Sequence, residues 1–175
     1  MPVMSYEEAG QFLETQLGLH RVDTDVWLGF QRIGAVQVFP IHVRLAEAFV
    51  EVGIPQNLFT PCNQPALHQY LSQANSKVVI GKFGVGPDQA GQGEGRPLLL
   101  HSEFPAGTRQ EYTSQEELAA LFHFAFQLVE QHHRHLQELV QRGCDSPPGP
   151  GPGIVERLAG RLRAFRDQRG EGSND

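Results

Sequence analysis

Cysteine is scarce in this chain of 175 residues: only Cys62 and Cys144 occur, far apart and in no CxxC pair. A reduced, cytoplasmic setting is therefore the expectation. Long apolar runs are lacking too, since nowhere do the roughly eighteen consecutive apolar residues of a membrane span occur. The opening residues, MPVMSYEEAG, offer neither a basic n-region nor an apolar h-region, so neither membrane insertion nor export by a cleavable signal is expected. Basic residues are outnumbered, with 14 Lys and Arg against 20 Asp and Glu for a net charge of −6. The imbalance is uneven. Beyond Gly153 five arginines (Arg157, Arg161, Arg163, Arg166, Arg169) face four acids, a net of +1, which leaves nine basic and sixteen acidic residues, −7, in the remainder. An acidic body disfavours nonspecific DNA binding, so any attraction to phosphates falls to the tail.

Signatures of catalysis are also missing. No GxSxG appears, and nothing singles out a Ser, His and Asp set. The glycines between Gly81 and Gly95 match neither GxxxxGK[ST] nor a GxGxxG that opens a helix, and Asp88 with Glu94 makes no calcium loop. A hairpin loop explains these glycines more simply. Cys62 has His42 or His68 as a conceivable base, yet no activating context is legible, and a free cysteine is often a small buried hydrophobe. His123, His132, His133 and His135 crowd one segment without a soft ligand or an HExxH pattern. The expectation is that His132 replaces an apolar residue in a buried stripe while His133 and His135 are more exposed. No metal, cofactor or catalytic residue is therefore expected, although protonation of the cluster near pH 6 could modulate helix packing.

What the chain does have is a long amphipathic helix from Thr113 to Arg142. Thr113 with Glu116 and Ser114 with Glu117 each offer a capping box, and Gly143 offers a stop. Leu118, Leu121, Phe122, Ala125, Leu128, Val129, Leu136, Leu139 and Val140 recur at helical spacing. At about 1.5 Å per residue the segment is roughly 45 Å long, against a diameter of roughly 37 Å for a compact domain of residues 1–143. Its far end, His132 to Val140, is thus expected to need a partner surface.

Upstream, Ser5 to Gly18 reads as a first helix with a Ser5 and Glu8 capping box and Ala9, Phe12, Leu13 and Leu17 on one face. Two strands, Val26 to Arg32 and Ala35 to Arg44, follow; Pro40 makes the second an edge strand or a bulged one. Leu45 to Ile54 satisfies both helical and alternating periods, and we take a third strand from about Ala48 that Pro55 ends. A short helix fits Pro65 to Ala74, capped by Asn63 or Gln64, with Leu67, Tyr70 and Leu71 inward. Lys77 to Phe83 and Arg96 to Phe104 read as the arms of a hairpin. Both faces of this sheet look apolar, so a cover is expected on each, one from the helices and one from a second subunit or a bound polypeptide. Residues 144–153, with SPPGPGPG, form a linker, and 154–175 a basic amphipathic tail. In it Ile154, Leu158, Leu162 and Phe165 share one side, and Arg157, Arg161 and Arg163 are suited to acidic or phosphate groups.

The resulting order is α+β: helix, antiparallel strands, short helix, β-hairpin and long C-terminal helix. With RPLLLHSEFPAGTRQEYTSQEELAALFHFAFQLVEQHHRHLQELV, it resembles the YbjN-like superfamily, whose fold is similar to that of class I type III secretion chaperones. The resemblance rests on an apolar strand ending in the acidic, proline-containing piece Ser102 to Pro105, followed by a capped terminal helix, and it covers Ser5 to Arg142. It implies a domain that is usually dimeric and binds other proteins, with no catalytic residues to carry over. The expectation is a non-enzymatic homodimeric chaperone-like or adaptor protein that captures a protein partner, with Leu158, Leu162, Phe165, Arg157, Arg161 and Arg163 as candidate contacts. The alternative is an accessory factor in nucleic-acid transactions such as DNA repair, acting through weak direct contact by the tail or through a nucleic-acid-binding partner.

Overall fold

The computed structural model describes residues 2–34, 37–60, 64–86 and 95–142. Cys62, the linker and the tail lie outside these residues. The elements run β1 (Val3–Met4), α1 (Tyr6–Gln16), β2 (His20–Asp23), β3 (Val26–Ile33), β4 (Gln37–Leu45), β5 (Phe49–Thr60), α2 (Pro65–Ser76), β6 (Lys82–Val85), β7 (Arg96–Pro105), β8 (Thr113–Ser114) and α3 (Gln115–Arg142). Six strands make one antiparallel sheet in the order β2-β3-β4-β5-β7-β6, and β1 pairs with β8 as a two-stranded ribbon. The architecture is α+β, with an antiparallel sheet and a long C-terminal helix, as the pattern of elements implied. No described helix is long and apolar enough to cross a membrane.

The starts of α1 and α3 are built locally. At α1 the Glu8 amide donates to Ser5 Oγ (3.3 Å), while the Ser5 amide (2.7 Å) and hydroxyl (2.9 Å) donate to Glu8 Oε2 and hold its carboxyl below the ordinary pKa. At α3 Ser114 and Glu117 make the same exchange, at 3.2 and 2.9 Å, so of the two boxes available this is the one used. α1 lies close on the sheet because Gly10 faces Trp27; a Cβ there would sit 2.8 Å from Cζ2 of that fully buried indole. Two buried tyrosines fasten the β4–β5 turn. Tyr112 Oη donates to the carbonyls of Ala46 (2.6 Å) and Phe49 (2.8 Å), and Tyr6 Oη to that of Leu45 (3.2 Å), their rings meeting edge to face at 5.4 Å.

Several expectations need correction. Pro55 does not end the third strand: β5 runs to Thr60, and the register with β7 shifts between Pro55 and Phe59, where Asn57 takes φ 55°. A bulge tolerates the missing N–H, so the proline is accommodated instead of breaking the strand. Pro40 lies on an inner strand, but the β4–β5 ladder covers only His42 to Leu45, so Pro40 pairs with Phe30 of β3 beyond that ladder's end. The first hairpin arm is shorter than its apolar run suggests. The Asn75 carboxamide bonds both polar groups of Phe83 (2.8 Å each) in the manner of a strand neighbour, and Gly81 turns at φ 89°, leaving only Lys82–Val85 as strand. β2 and the β1–β8 ribbon are additional.

The far end of α3 is also covered by the chain itself. His133, Leu136 and Val140 are buried; His133 meets Phe39 edge to face at 4.9 Å, and Gln64 Nε2 donates to the Val140 carbonyl at 3.4 Å. The length of the helix is matched by the sheet beneath it, because β5 extends past Pro55. The buried imidazole is that of His133, while His132 is half-buried, the reverse of the expectation.

Candidate functional site

Alternation along the strands divides the sheet cleanly. Trp27, Phe39, Ile41, Val43, Val50, Val52, Ile54, Leu98 and Leu100 point to the helices and are buried in the core. The opposite face receives no helix among the described residues, and pairing registers set its side chains in rows. One row is Leu28, His42, Gly53, His101 and Lys82; the next is Val26, Arg44, Glu51 and Glu103. One step the other way lie Phe30 with Pro40, and Pro55 with Leu99 and Gly84. The outer face is thus half apolar and half charged, not apolar throughout. Of its apolar side chains Val38 is 46% exposed, and Leu28, Phe30, Pro55 and Leu99 are half-buried.

The charged half is tightly organised. Arg44 grips Glu51 through Nε to Oε2 at 2.7 Å and Nη2 to Oε1 at 2.8 Å. Glu51 stands directly opposite Glu103 across the β5–β7 ladder, and His101 Nε2 lies 4.0 Å from Glu103 Oε1. Glu51, His101 and Glu103 each present one ligand atom within 4.8 Å of the others. Burial holds the His42 imidazole below its ordinary pKa; Glu51 opposes that shift, and Arg44 and His101 add to it.

A second feature is a groove of about 620 Å³ between α2, α3 and the segment before β6, lined among others by Val78, Ile80, Phe124 and Leu128. At its end Tyr70 Oη and His132 Nδ1 are 2.7 Å apart. Burial raises the phenol and lowers the imidazole, with His135 adding to the lowering, so the neutral pair is favoured and the phenol donates to Nδ1. His133 points instead into the core, with Nδ1 3.3 Å from Gln56 Oε1.

The four helix histidines do not converge on one point: His132 and His135 both pack against Tyr70, with ring centroids at 5.9 and 4.4 Å, His133 faces Phe39, and His123 is exposed. His42 and His68 stand on different elements, β4 and α2. The candidate contacts Leu158, Leu162, Phe165, Arg157, Arg161 and Arg163 lie outside the described residues. The grouping of Glu51, His101 and Glu103 was not recognised from sequence. Its only local trace is His101 and Glu103 two residues apart on a strand, hence on one face.

No family model matches the chain, and no curated protein matches it by sequence. Among solved structures, it superposes on the crystal structure of YbjN from E. coli, described as a candidate transcription regulator, with a TM-score of 0.57. The match covers 79% of this chain and 95% of that one at 12% identity. The chain has a YbjN-like fold. At that identity the likeness is one of architecture.

Proposed function

We propose that the protein is a non-enzymatic, homodimeric adaptor or chaperone-like protein that binds another protein. The observation that carries this reading is the outer face of the YbjN-like sheet, where half-buried apolar side chains border an ordered charged strip with no covering element among the described residues. A face of this kind, apolar on one side and charged on the other, suits a polypeptide surface. The end of α3 is covered by its own sheet, and the surface offered to a second copy of the chain is the apolar half of the outer face, around Leu28, Phe30 and Leu99. The protein partner is assigned to the tail, through Leu158, Leu162, Phe165, Arg157, Arg161 and Arg163.

The fold likeness is compatible with a binding role, since YbjN is described as a candidate transcription regulator. That description, with the five clustered arginines of the tail, also favours a second reading: an accessory factor in nucleic-acid transactions. Light scattering tests the dimer. About twice the 19.4 kDa chain mass is expected at micromolar concentration, and Leu28→Glu should return the protein to 19.4 kDa without unfolding it. A native chain already at 19.4 kDa in moderate salt would sink the dimer. Capture from native extract by the full chain and by a chain ending at Gly153, each with and without nuclease, separates the two readings: the adaptor reading requires a partner that is lost with the tail and survives nuclease.

A further inference from the structure

We propose that Glu51, His101 and Glu103 form a binding site for a divalent transition metal of the zinc class on the outer face of the sheet. One ligand atom from each lies within 4.8 Å of the others, and all three side chains stand on β5 and β7, adjacent strands held in continuous pairing from Phe49 to Pro55. The backbone that aims them is therefore rigid, while His101 and Glu103, at 44% and 59% side-chain exposure, are free to adjust. Zinc bonds of about 2.0–2.2 Å place tetrahedral ligands roughly 3.4 Å apart, so closing the site needs rotamer shifts of about an ångström and no backbone movement. One imidazole nitrogen with two carboxylates is a donor set that borderline metals accept, whereas calcium and magnesium prefer oxygen alone.

The electrostatics call for a cation. Glu51 and Glu103 are directly opposed across the ladder, a pairing that like charges disfavour. Arg44, on β4, engages Glu51 through both of its contacts, which leaves Glu103 among the described residues with His101 Nε2 at 4.0 Å. A metal between the two carboxylates relieves that repulsion. Each carboxylate oxygen keeps a second lone pair, so Glu51 can ligate while Arg44 continues to orient it from behind. Beside the site Gly53 stands between His42 and His101 in the next row, and a Cβ there would be in ordinary contact with His42 Nδ1 and Leu99 Cδ1, at 3.6 and 3.7 Å. With three protein ligands, water would fill the remaining position. The site lies in the charged strip of the same outer face but does not rest on the adaptor reading, since its ligands are neither the apolar side chains Leu28, Phe30 and Leu99 nor the tail.

The test is calorimetric titration of the full-length chain with zinc chloride, paired with the visible absorption of bound cobalt(II), which reports nitrogen and oxygen ligation in a tetrahedral field. One saturable site per chain is expected, weakened about tenfold or more by His101→Ala and by Glu103→Gln, with loss of the cobalt bands. Both side chains are exposed, so the variants should keep the native melting curve without metal; His101→Gln substitutes if His101→Ala does not. His123→Ala and His135→Ala, exposed on α3, should leave the titration unchanged. Absence of a saturable site, or zinc binding that His101→Ala and Glu103→Gln leave intact while an α3 variant abolishes it, overturns the proposal.

Discussion

Replacing Tyr112 by phenylalanine removes one oxygen and leaves a ring that is 1% exposed in place, so it isolates the fastening of the β4–β5 turn. That oxygen donates toward two carbonyls, at 2.6 Å to Ala46 and 2.8 Å to Phe49. Phe49 keeps another donor, the Ala46 amide at 2.9 Å, so the carbonyl left stranded is that of Ala46. One lost bond with one buried acceptor unpaired costs about 1–2 kcal/mol, and at about 2–4 °C per kcal/mol for a chain of this size Tm should fall by roughly 2–8 °C. Tyr6→Phe loses longer contacts, 3.2 Å to Leu45 and 3.4 Å to Thr24, and should cost less. Thermal melting followed by circular dichroism measures both.

The same phenols set an alkaline limit on stability. All three tyrosines of the chain are raised above the ordinary phenol value, Tyr112 most strongly, each chiefly by burial. A group raised in the folded state ionises first in the unfolded chain. Its contribution is whole below about pH 10 and is lost as pH climbs from there toward the folded value. Stability should therefore drop above about pH 10, and Tyr112→Phe should drop less steeply than the native chain. In a spectrophotometric titration the phenolate band should appear together with loss of the native dichroism. Phenolate forming near pH 10 in a chain that stays native, or a Tyr112→Phe variant as stable as the parent at pH 7, would refute the reasoning.

At acid pH the sign reverses: burial holds His133 below the ordinary histidine value, so its share of stability is present above about pH 6.5 and lost as pH falls through the lowered value. His133→Leu should be less stable at pH 7.5, where Gln56 Oε1 loses its partner, yet show a smaller fall between pH 7.5 and pH 5; urea midpoints at both pH values check this, with His42 and His132 supplying the acid sensitivity that remains. Gly10→Ala drives a Cβ to 2.8 Å from Trp27 Cζ2, and overpacking of this kind costs about 1–3 kcal/mol; a lower urea midpoint with altered tryptophan emission is expected, and an unchanged midpoint would mean that α1 slides freely on the sheet.

What could be read from sequence follows the reach of the interactions involved. The Ser5–Glu8 and Ser114–Glu117 boxes are legible because donor and acceptor are three residues apart, and the same locality makes α1 and α3 legible as helices. The stripe on α3 is legible as a stripe, but at His132 and His133 the 3.6-residue turn lets either position meet the sheet, and the choice falls to Phe39 and Gln56, far upstream. The prolines mislead for a related reason. A missing N–H matters only if a neighbouring strand would have used it, and the end of the β4–β5 ladder and the bulge after Pro55 settle that from outside the local sequence. Val78 to Ile80 reads as strand on side-chain type alone, while the Asn75 side chain and the φ of Gly81 end the strand below it.

The outer face is the least legible part, because it exists only as register. Glu51 and Glu103 are fifty-two positions apart, and a one-residue slip of β5 against β7 would send one of them to the opposite face and dissolve the cluster with His101. Slippage is resisted from the other side of the sheet, where Val50, Val52 and Ile54 must meet Leu98 and Leu100 in a core with no exposed surface to spare. The core therefore determines which polar groups confront one another outside it. A substitution among those buried residues that shifted the register should reach His101, Glu51 and Glu103 without touching them, which links the packing of this fold to the chemistry its uncovered face presents.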